Sequence, residues 1–538
     1  MAENHGPQSW GQGATYTRED DPVGSHRHFS WSPERAGRRA TTGLTTSLRR
    51  EREDKYDVSL GFVVPDLDDL VPAGGRVERD TVTLDSVYFD TADRDLLSQH
   101  LTLRRRSGDV DAGWHLKVPA GTARTEIRLP ITEGESVPDE LAKLVVGVAL
   151  GKPVRRVAEI STTRHRHRLL DADGNLLAEV ADDTVQATAT AGDEGAVASQ
   201  WREVEVELGD RGDDKLLRAI GTRLTRSGAH PSRYASKLVR ALTPDRGRAD
   251  ASEGDGGDAG VETVRKLLTD YLEQHAQAIV AGDVWLRRGL DPIHSTRVGI
   301  RRFRSTLRVF QKVLDPAARS HLDEELSWYA GVLGEVRDRQ VQRARFAKAV
   351  ADLPSELVMG PVAARIDNDL LAEQRRYQDE VMATLDTGRY RALLASLAQW
   401  RTAPPLTDEA SSGSRVLEKA ARKAWKKADK RLAAALDDGG DEALHRARKA
   451  AKRARYAAEL TIPIFGRKKS RKKVAKYKKI QEVLGEHQDS VVARGVLRAL
   501  GARAGATEGE NGFTFGLLYG LELQAAQRAR DEAEELAT

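Results

Sequence analysis

Two sequence motifs recur at one fixed offset in the second half of this 538-residue chain. The first reads HSTRVGIRRFRSTL at 294–307 and returns as HRARKAAKRARYAA at 445–458. The second reads LGEVRDRQV at 333–341 and returns as LGEHQDSVV at 484–492. Both pairs lie 151 residues apart, and two separate motifs rarely keep one offset by chance. The repeat therefore predicts a duplicated helical unit.

The spacing of apolar residues divides the chain into two unlike parts. Short segments with alternating or β-branched residues, typical of strands, come first. After a stretch rich in Gly and Asp, Ala, Leu and Arg recur at helical spacing. These patterns predict an α+β multidomain protein. We expect a disordered lead-in at 1–46, an antiparallel sheet domain at 47–243, a linker at 244–260 and an all-α domain at 261–538, with repeats at 261–400 and 412–538.

The composition excludes several classes of protein. Without any cysteine, the chain has no disulfide framework, thiolate zinc site or Cys nucleophile. No stretch approaches the ~20 apolar residues of a membrane span, and the N-terminal residues lack the apolar core of a secretory signal. We therefore expect a soluble, cytoplasmic protein without a membrane partner.

Charge is divided unevenly along the chain. Residues 1–260 carry 36 basic and 44 acidic side chains, whereas residues 261–538 carry 50 basic and 38 acidic side chains. This asymmetry favours a helical domain that faces a polyanion, although the solvated faces of charged helices would produce the same excess.

Charged residues alternate along several predicted strands of the sheet domain. Because successive side chains on a strand point to opposite faces, Glu51, Glu53 and Lys55 share one face of EREDK. The same alternation groups the glutamates of EVEVEL at 203–208 and two arginines of LRRR at 103–106. If these faces line one interior, the sheet closes into a barrel with a charged inside.

A charged interior of this kind suits short phosphate chains. Lys and Arg neutralise and position phosphate oxygens, and Mg²⁺ prefers carboxylates together with substrate phosphates and water. A metal that polarises a phosphoryl oxygen, beside cations that hold the leaving phosphate, recurs in phosphoryl transfer. The alternative is the solvated face of an ordinary sheet, on which glutamates pair with arginines across strands.

The motifs of the sheet domain, in their order, resemble the CYTH or triphosphate-tunnel family. The glutamate and lysine motif EREDK is followed by LRRR, HLK, EVEVEL and YASKLVRAL. The resemblance implies an antiparallel β-barrel tunnel in which Glu51, Glu53 and Lys55 form the catalytic motif. The implied ligands of a divalent Mg or Mn ion are Glu51, Glu53, Glu205 and Glu207. The implied phosphate-binding cations are Lys55, Arg104, Arg106, Lys117, Arg164, Arg166 and Lys237. Glu126 and Asp182 are weaker matches, and no residue is identified as the base that activates water.

A cationic stripe repeats in the two helical copies. Its first copy follows steps of three and four residues along one helix, and like charges stacked at this spacing are destabilising unless a polyanion neutralises them. The members are His294, Arg297, Arg301, Arg304 and Arg308 in the first copy, and His445, Arg448, Lys452 and Arg455 in the second. The run RKKSRKKVAKYKK at 467–479 adds nine basic residues.

Few aromatic residues accompany these cations, and this decides between polyanions. Aromatics make up 5% of the chain, whereas nucleic-acid readers usually offer stacking platforms. Inorganic polyphosphate is therefore favoured over RNA or DNA. Each copy has a single histidine at this position without a second ligand three or four residues away, which disfavours a metal site.

The repeated HxxR, RRxR and LGxxRD elements resemble the CHAD domain, so the chain as a whole resembles a bacterial CYTH–CHAD fusion. The resemblance implies hydrolysis of inorganic triphosphate in the front domain and binding of polyphosphate, including polyphosphate granules, by the helical domain. Two alternatives stay open. A similar tunnel could cyclise ATP or hydrolyse thiamine triphosphate, or the chain could be a polyphosphate scaffold without turnover. A pure binder of polyanions gains nothing from acidic residues, which favours an enzyme.

Overall fold

The computed structural model describes most of the chain. The described residues are 45–49, 53–120, 123–190, 195–243 and 259–536. The predicted lead-in and linker therefore lie outside the described residues, apart from the last two residues of each.

Within its described residues, the front domain folds into one antiparallel sheet of ten strands. The strands are β1 Thr45–Arg49, β2 Glu53–Val58, β3 Arg76–Asp90, β4 Thr102–Ser107, β5 Gly113–Ala120, β6 Ala123–Leu129, β7 Arg155–Leu170, β8 Leu176–Thr190, β9 Ala196–Leu208 and β10 His230–Pro231. Their order across the sheet is β1-β6-β5-β4-β3-β7-β8-β9-β2-β10. The predicted antiparallel sheet domain is confirmed, but the sheet is open, so the prediction of a closed barrel is wrong.

The sheet stays open because its first two strands, β1 and β2, form hydrogen bonds at opposite ends of the sheet. β1 pairs with β6 at one end, whereas β2 pairs with β9 and β10 at the other. Only three residues separate Arg49 from Glu53, so the ends of β1 and β2 lie within about 14 Å of each other. The sheet is therefore strongly curved, and its concave face surrounds a cavity.

Four short helices accompany the sheet. They are α1 Asp95–Ser98, α2 Asp139–Val145, α3 Asp214–Arg226 and α4 Lys237–Leu242. The cap of α4 matters for the site, because the Ser236 side chain accepts a hydrogen bond from the backbone N–H of Val239. This cap makes Lys237 the first residue of the helix and holds it at the cavity.

The helical domain contains ten helices within the described residues. They are α5 Ala259–Arg287, α6 Ile293–Val309, α7 Pro316–Ala351, α8 Val362–Leu385, α9 Gly388–Thr402, α10 Ser414–Asp438, α11 Asp441–Leu460, α12 Ile462–Phe465, α13 Arg467–Gly505 and α14 Phe513–Glu535. Helices α7 and α13 begin 151 residues apart, and so do α8 and α14. The predicted all-α architecture is confirmed, and its elements repeat at the offset of the motifs. Among the described residues, no helix combines the length and apolarity that crossing a bilayer requires.

A glycine in each copy explains why one motif repeats. The guanidinium of Arg297 lies against Gly334, where an added Cβ would approach Nη1 to 2.5 Å. In the second copy the guanidinium of Arg448 lies against Gly485, where the same Cβ would come within 3.1 Å of Nη2. In both copies a side chain at this position would therefore displace the guanidinium from where it lies.

The two domains share one hydrophobic core. A single cluster of buried side chains includes Trp114 and Leu116 of β5, Leu141 and Leu144 of α2, and Leu268, Leu272 and Ile279 of α5. The contact is close at Gly147, where an added Cβ would lie 2.4 Å from Oδ2 of Asp283. Beside this core the buried Arg401 donates hydrogen bonds to Glu273, to the Gln99 side chain and to the Ser98 carbonyl. The domains are therefore packed together and joined by polar contacts.

Candidate active site and cationic cluster

The concave face of the sheet lines a cavity of about 1040 Å³. Its cations are Lys55, Arg104, Arg106, Lys117, Arg128, Arg164, Arg166, Arg211 and Lys237, and its carboxylates are Glu53, Asp109, Asp111, Glu126, Glu179, Glu205, Glu207 and Asp210. Every candidate tunnel residue that the structure describes lines this one cavity, apart from the weaker candidate Asp182. Glu51 lies outside the described residues.

Strand β4 contributes a cationic wall. Arg104 donates a hydrogen bond from Nη1 to the Tyr88 hydroxyl at 3.4 Å, while its Nε is buried without a partner among the described residues. Arg106 lies 3.1 Å from the Asp111 carboxylate. Burial lowers the pKa of Arg106, and the neighbouring charge of Arg104 lowers it further. Two cations forced this close together favour an anion between them.

The side chain of Lys237 lies within a cluster of three carboxylates. Its Nζ lies 2.8 Å from Oδ2 of Asp183, 2.7 Å from Oε1 of Glu203 and 2.9 Å from Oε1 of Glu205. Oxygen atoms from these carboxylates lie within 4.8 Å of one another. Burial would lower the pKa of Lys237, but the three carboxylates raise it above its ordinary value. The ammonium group therefore stays charged and holds the cluster together.

Glu205 is the centre of this charge network. Besides Lys237, it contacts Nζ of Lys55 at 2.7 Å and Nη2 of Arg164 at 2.8 Å. Burial would raise the pKa of Glu205, but these three cations hold it well below the usual range. Because the charged form is so strongly favoured, the carboxylate stays ionised across the physiological pH range.

The donor set also fits a divalent metal. Glu53 lies directly opposite Glu207 in the register of β2 and β9, and both line the cavity. The side chain of Glu53 is 25% exposed, so water reaches it. Oxygen donors with access to water are the ligands that Mg²⁺ prefers. The space among Asp183, Glu203 and Glu205 is different, because the ammonium of Lys237 fills it.

Sequence reasoning missed Asp183, which is fully buried and forms a two-point contact with Arg164 at 2.8 and 2.7 Å. The alternation of side chains along β8 could have identified it. Glu179 and Asp183 are four residues apart, so both lie on the face of the strand that is turned toward the cavity. The weaker candidate Asp182 points to the other face, where both its oxygens accept hydrogen bonds from Arg202. Glu126 does line the cavity and accepts a hydrogen bond from Arg128 at 2.8 Å.

The helical stripes meet where α6 packs against α11. We name the six residues from the start of the two stripes the central cluster; they are His294, Arg297, Arg301, His445, Arg448 and Lys452. Its charges are only weakly balanced, because the nearest carboxylates lie 3.7 Å from Arg297 and 3.8 Å from Arg448. The Nε atom of Arg448 is buried without a partner among the described residues.

Crowding of cations perturbs the titration of the central cluster. Burial lowers the pKa of Lys452 to about 7, and the charges of Arg448 and Arg301 add to this effect. Burial also lowers the pKa of His294 to about 4, with a contribution from Arg337. The cluster therefore carries less charge at neutral pH than its residue types suggest, and a bound anion would restore it.

The remaining stripe residues have carboxylate partners of their own. Arg304 and Arg308 both contact Asp323, at 2.9 and 2.7 Å. Arg455 contacts Glu459 at 3.0 Å. The stripe is thus divided into a central cluster with weak compensation and an outer part whose charge is partly balanced within the protein.

Comparison with known proteins finds similarity over both domains. The family model described as CYTH domain matches residues 64–232, and the one described as CHAD domain matches residues 270–498. The uncharacterized protein Rv2226 of Mycobacterium tuberculosis is 37% identical over 506 residues, which cover 90% of this chain and 95% of that protein.

Two solved structures show a looser similarity. PptA from Streptomyces chartreusis has a TM-score of 0.44 at 20% identity, over 51% of this chain and 98% of that one. The CHAD domain from the plant Ricinus communis has a TM-score of 0.41 at 25% identity, over 51% of this chain and 91% of that one.

Proposed function

Because this chain belongs to the family of proteins that join a CYTH domain to a CHAD domain, we propose that it hydrolyses inorganic triphosphate, or a related short phosphate chain, in the cavity of its sheet. The observation that carries the proposal is that one cavity is lined by both phosphate-binding cations and metal-binding carboxylates. Three cations of β4 and β5 (Arg104, Arg106 and Lys117) and three carboxylates of β2 and β9 (Glu53, Glu205 and Glu207) line it together, each group gathered on neighbouring strands.

In this proposal the cationic wall binds the phosphate chain. Arg104 and Arg106 neutralise its oxygens, and the unpartnered Nε of Arg104 is available to donate to one of them. Lys117 and Lys55 line the same cavity and add charge, while Arg166 is held by two contacts to Asp80 at 2.8 and 2.7 Å. A chain held between such cations has its terminal phosphoryl group fixed in position.

The carboxylates would hold a divalent cation such as Mg²⁺ or Mn²⁺. Glu53, Glu205 and Glu207 are the ligands we assign, together with Glu51. When bound, the metal would polarise a phosphoryl oxygen and lower the pKa of a bound water. Lys55 and Lys237 keep Glu205 ionised and oriented toward the cavity.

The reaction is the hydrolysis of one phosphoric anhydride bond. Water adds to the terminal phosphorus as the bond to the bridging oxygen breaks, and pyrophosphate leaves while orthophosphate forms. The leaving pyrophosphate gains negative charge, and the cations of β4 stabilise it. We assign no general base.

The helical domain would bind inorganic polyphosphate at the central cluster and so associate the protein with polyphosphate granules. The cluster combines six positions from two helices and few carboxylates within contact distance. A featureless chain of phosphates needs cations alone, whereas nucleic-acid binding uses exposed aromatic platforms.

The first test of this function is phosphate release by the full chain. We expect release from tripolyphosphate with Mg²⁺ or Mn²⁺ and none with EDTA. Parallel samples with ATP and thiamine triphosphate test the two alternative activities of the cavity. Formation of cyclic AMP from ATP is measured separately. If no substrate releases phosphate under any divalent metal while polyphosphate still binds, the protein is a scaffold and the proposed hydrolysis is wrong.

Polyphosphate binding should weaken as the pH rises from 7 to 9. In the free protein the pKa of Lys452 is about 7, so the side chain loses its proton over this range. Bound phosphates raise that pKa, so binding takes up a proton and the affinity falls by up to about tenfold per pH unit. The measurement is titration with polyphosphate at several pH values and constant salt. The Lys452→Arg variant, which stays charged, should give a flatter profile, and equal slopes in the two proteins would contradict the argument.

A further inference from the structure

A second group of cations lies on α10, outside the central cluster. Lys423, Lys427 and Arg431 recur at intervals of four residues, so they lie along one face of the helix. Lys426 and Lys430 are exposed beside them. Among the residues that the structure describes, no carboxylate lies within salt-bridge distance of these five side chains. We name these five residues the α10 band.

The like charges of the α10 band oppose one another. Repulsion from Arg431 lowers the pKa of Lys427, and burial and Arg453 lower it further. Like charges at a spacing of four residues destabilise an isolated helix by about 0.2–0.5 kcal/mol per pair. A surface that keeps such a row without carboxylate partners is suited to an anionic ligand.

The α10 band is continuous with the end of the cationic stripe. Arg453 follows Lys452 on α11, and it lies close enough to both Arg308 of α6 and Arg431 of α10 for their charges to lower its pKa beyond the effect of burial. Helix α10 packs along α11. Arg453 therefore connects the end of the stripe to α10 electrostatically, and Asp323 is the carboxylate that lies beside these charges.

At its other end the α10 band reaches the basic run at 467–479. Arg422 of α10 and Lys469 of α13 lie over the same ring, that of Phe465, at 5.1 and 4.9 Å from its centre. Lys473 of α13 lies 5.4 Å from the ring centre of Trp425 on α10. The start of α13 thus extends the same charged surface.

The aromatic rings in this region decide which polyanion it suits. Trp425 is 5% exposed and Tyr477 is fully buried, and cations cover the half-buried ring of Phe465. No ring here offers an open face on which a nucleic-acid base could stack, and no large apolar side chain stands out for insertion into a membrane. A chain of phosphates without bases or acyl groups is the partner that remains.

We propose that the α10 band is a second polyphosphate-binding section, contiguous with the central cluster, so that long chains contact both sections and short chains contact the central cluster alone. This inference rests on the proposed binding of polyphosphate by the helical domain. Its consequence is a preference for long chains, since contacts on the second section add to those on the first within one molecule.

The test compares two triple variants of the full-length protein. Lys423→Ala/Lys427→Ala/Arg431→Ala removes charge from the α10 band. Arg375→Ala/Arg498→Ala/Arg528→Ala removes the same charge from exposed positions on α8, α13 and α14. Affinities are measured for polyphosphates of about 10 and about 100 units over a range of salt concentrations, from which the number of released counterions follows. A single-stranded RNA homopolymer is the third ligand.

We expect the α10 variant to bind the long chain about tenfold more weakly at physiological salt, with a salt slope that is smaller by about two. Its affinity for the short chain should stay within about twofold of the unmodified protein, and the matched variant should resemble the unmodified protein with both.

Unchanged long-chain affinity, or an equal loss with both chain lengths, overturns the second section. Tighter binding of RNA that the α10 variant abolishes would overturn it in favour of a nucleic-acid surface. If the unmodified protein binds neither polyphosphate, the proposed function of the helical domain fails, and the inference fails with it. If the unmodified protein binds both chain lengths but the α10 variant binds the long chain equally well, the helical domain still binds polyphosphate and only the second section is wrong.

Discussion

Replacing Glu205 by glutamine should lower the turnover of tripolyphosphate by about two orders of magnitude, the loss typical of removing one preorganised charge from an active site. Glutamine keeps the shape of the side chain but cannot balance Lys55, Arg164 and Lys237, which all contact this carboxylate. A metal bound beside Glu53 would also lose an anionic ligand. The measurement is steady-state phosphate release with saturating Mg²⁺.

The matched control is Glu159→Gln, which makes the same change of charge at an exposed position on β7 outside the cavity. Turnover by this variant should equal that of the unmodified protein. Because Glu205 is central to a buried network, thermal unfolding must show that the variant folds, and Glu207→Gln offers a second test at the same wall. Polyphosphate binding should persist in both cavity variants. Unchanged turnover in both cavity variants would mean that these carboxylates are not part of the catalytic site.

Replacing Arg297 and Arg448 together by alanine should weaken polyphosphate binding by about 100-fold, with a salt slope that falls by about one and a half. These two arginines occupy equivalent positions in the helical copies, and each lies against a glycine that admits its guanidinium. Their nearest carboxylates are 3.7 and 3.8 Å away, so most of their charge is available to a ligand. Titration at several salt concentrations gives both quantities.

The control for this pair is Arg375→Ala/Arg498→Ala, which removes two exposed charges from α8 and α13. Its affinity should stay within about twofold of the unmodified protein, because screening limits the effect of distant charges. Equal losses in the two double variants would mean that net charge, rather than the central cluster, determines binding.

The repeat was the most informative part of the sequence. In each copy an arginine of the first motif lies against a glycine of the second, Arg297 against Gly334 and Arg448 against Gly485. The offset of 151 residues also predicts where α13 and α14 begin. Alternation likewise grouped Glu205 with Glu207 and Arg104 with Arg106, and these four side chains line one cavity.

Other features depend on contacts that local periodicity does not encode. The sheet stays open because β1 and β2 pair with strands at its opposite ends. Their partners, β6 and β9, are far away in sequence, so local patterns do not reveal this pairing. Arg304 and Arg308 of the stripe share the carboxylate of Asp323, which lies on the next helix and balances part of their charge. Asp183 could have been predicted from the sequence. It lies four residues after Glu179 on β8, and the same alternation identified the glutamates of β9.

The hydrophobic core shared by the two domains couples their stabilities. Because Trp114 of the sheet domain packs in the same cluster as Leu268 of the helical domain, neither domain can unfold without exposing apolar surface of the other. A ligand that binds only the folded protein adds to the free energy of unfolding in proportion to the logarithm of its concentration. If the helical domain binds polyphosphate as proposed, abundant polyphosphate would slow degradation of the whole chain, and loss of polyphosphate would leave the protein easier to unfold and remove. The lifetime of the protein would then follow the amount of polyphosphate available to it.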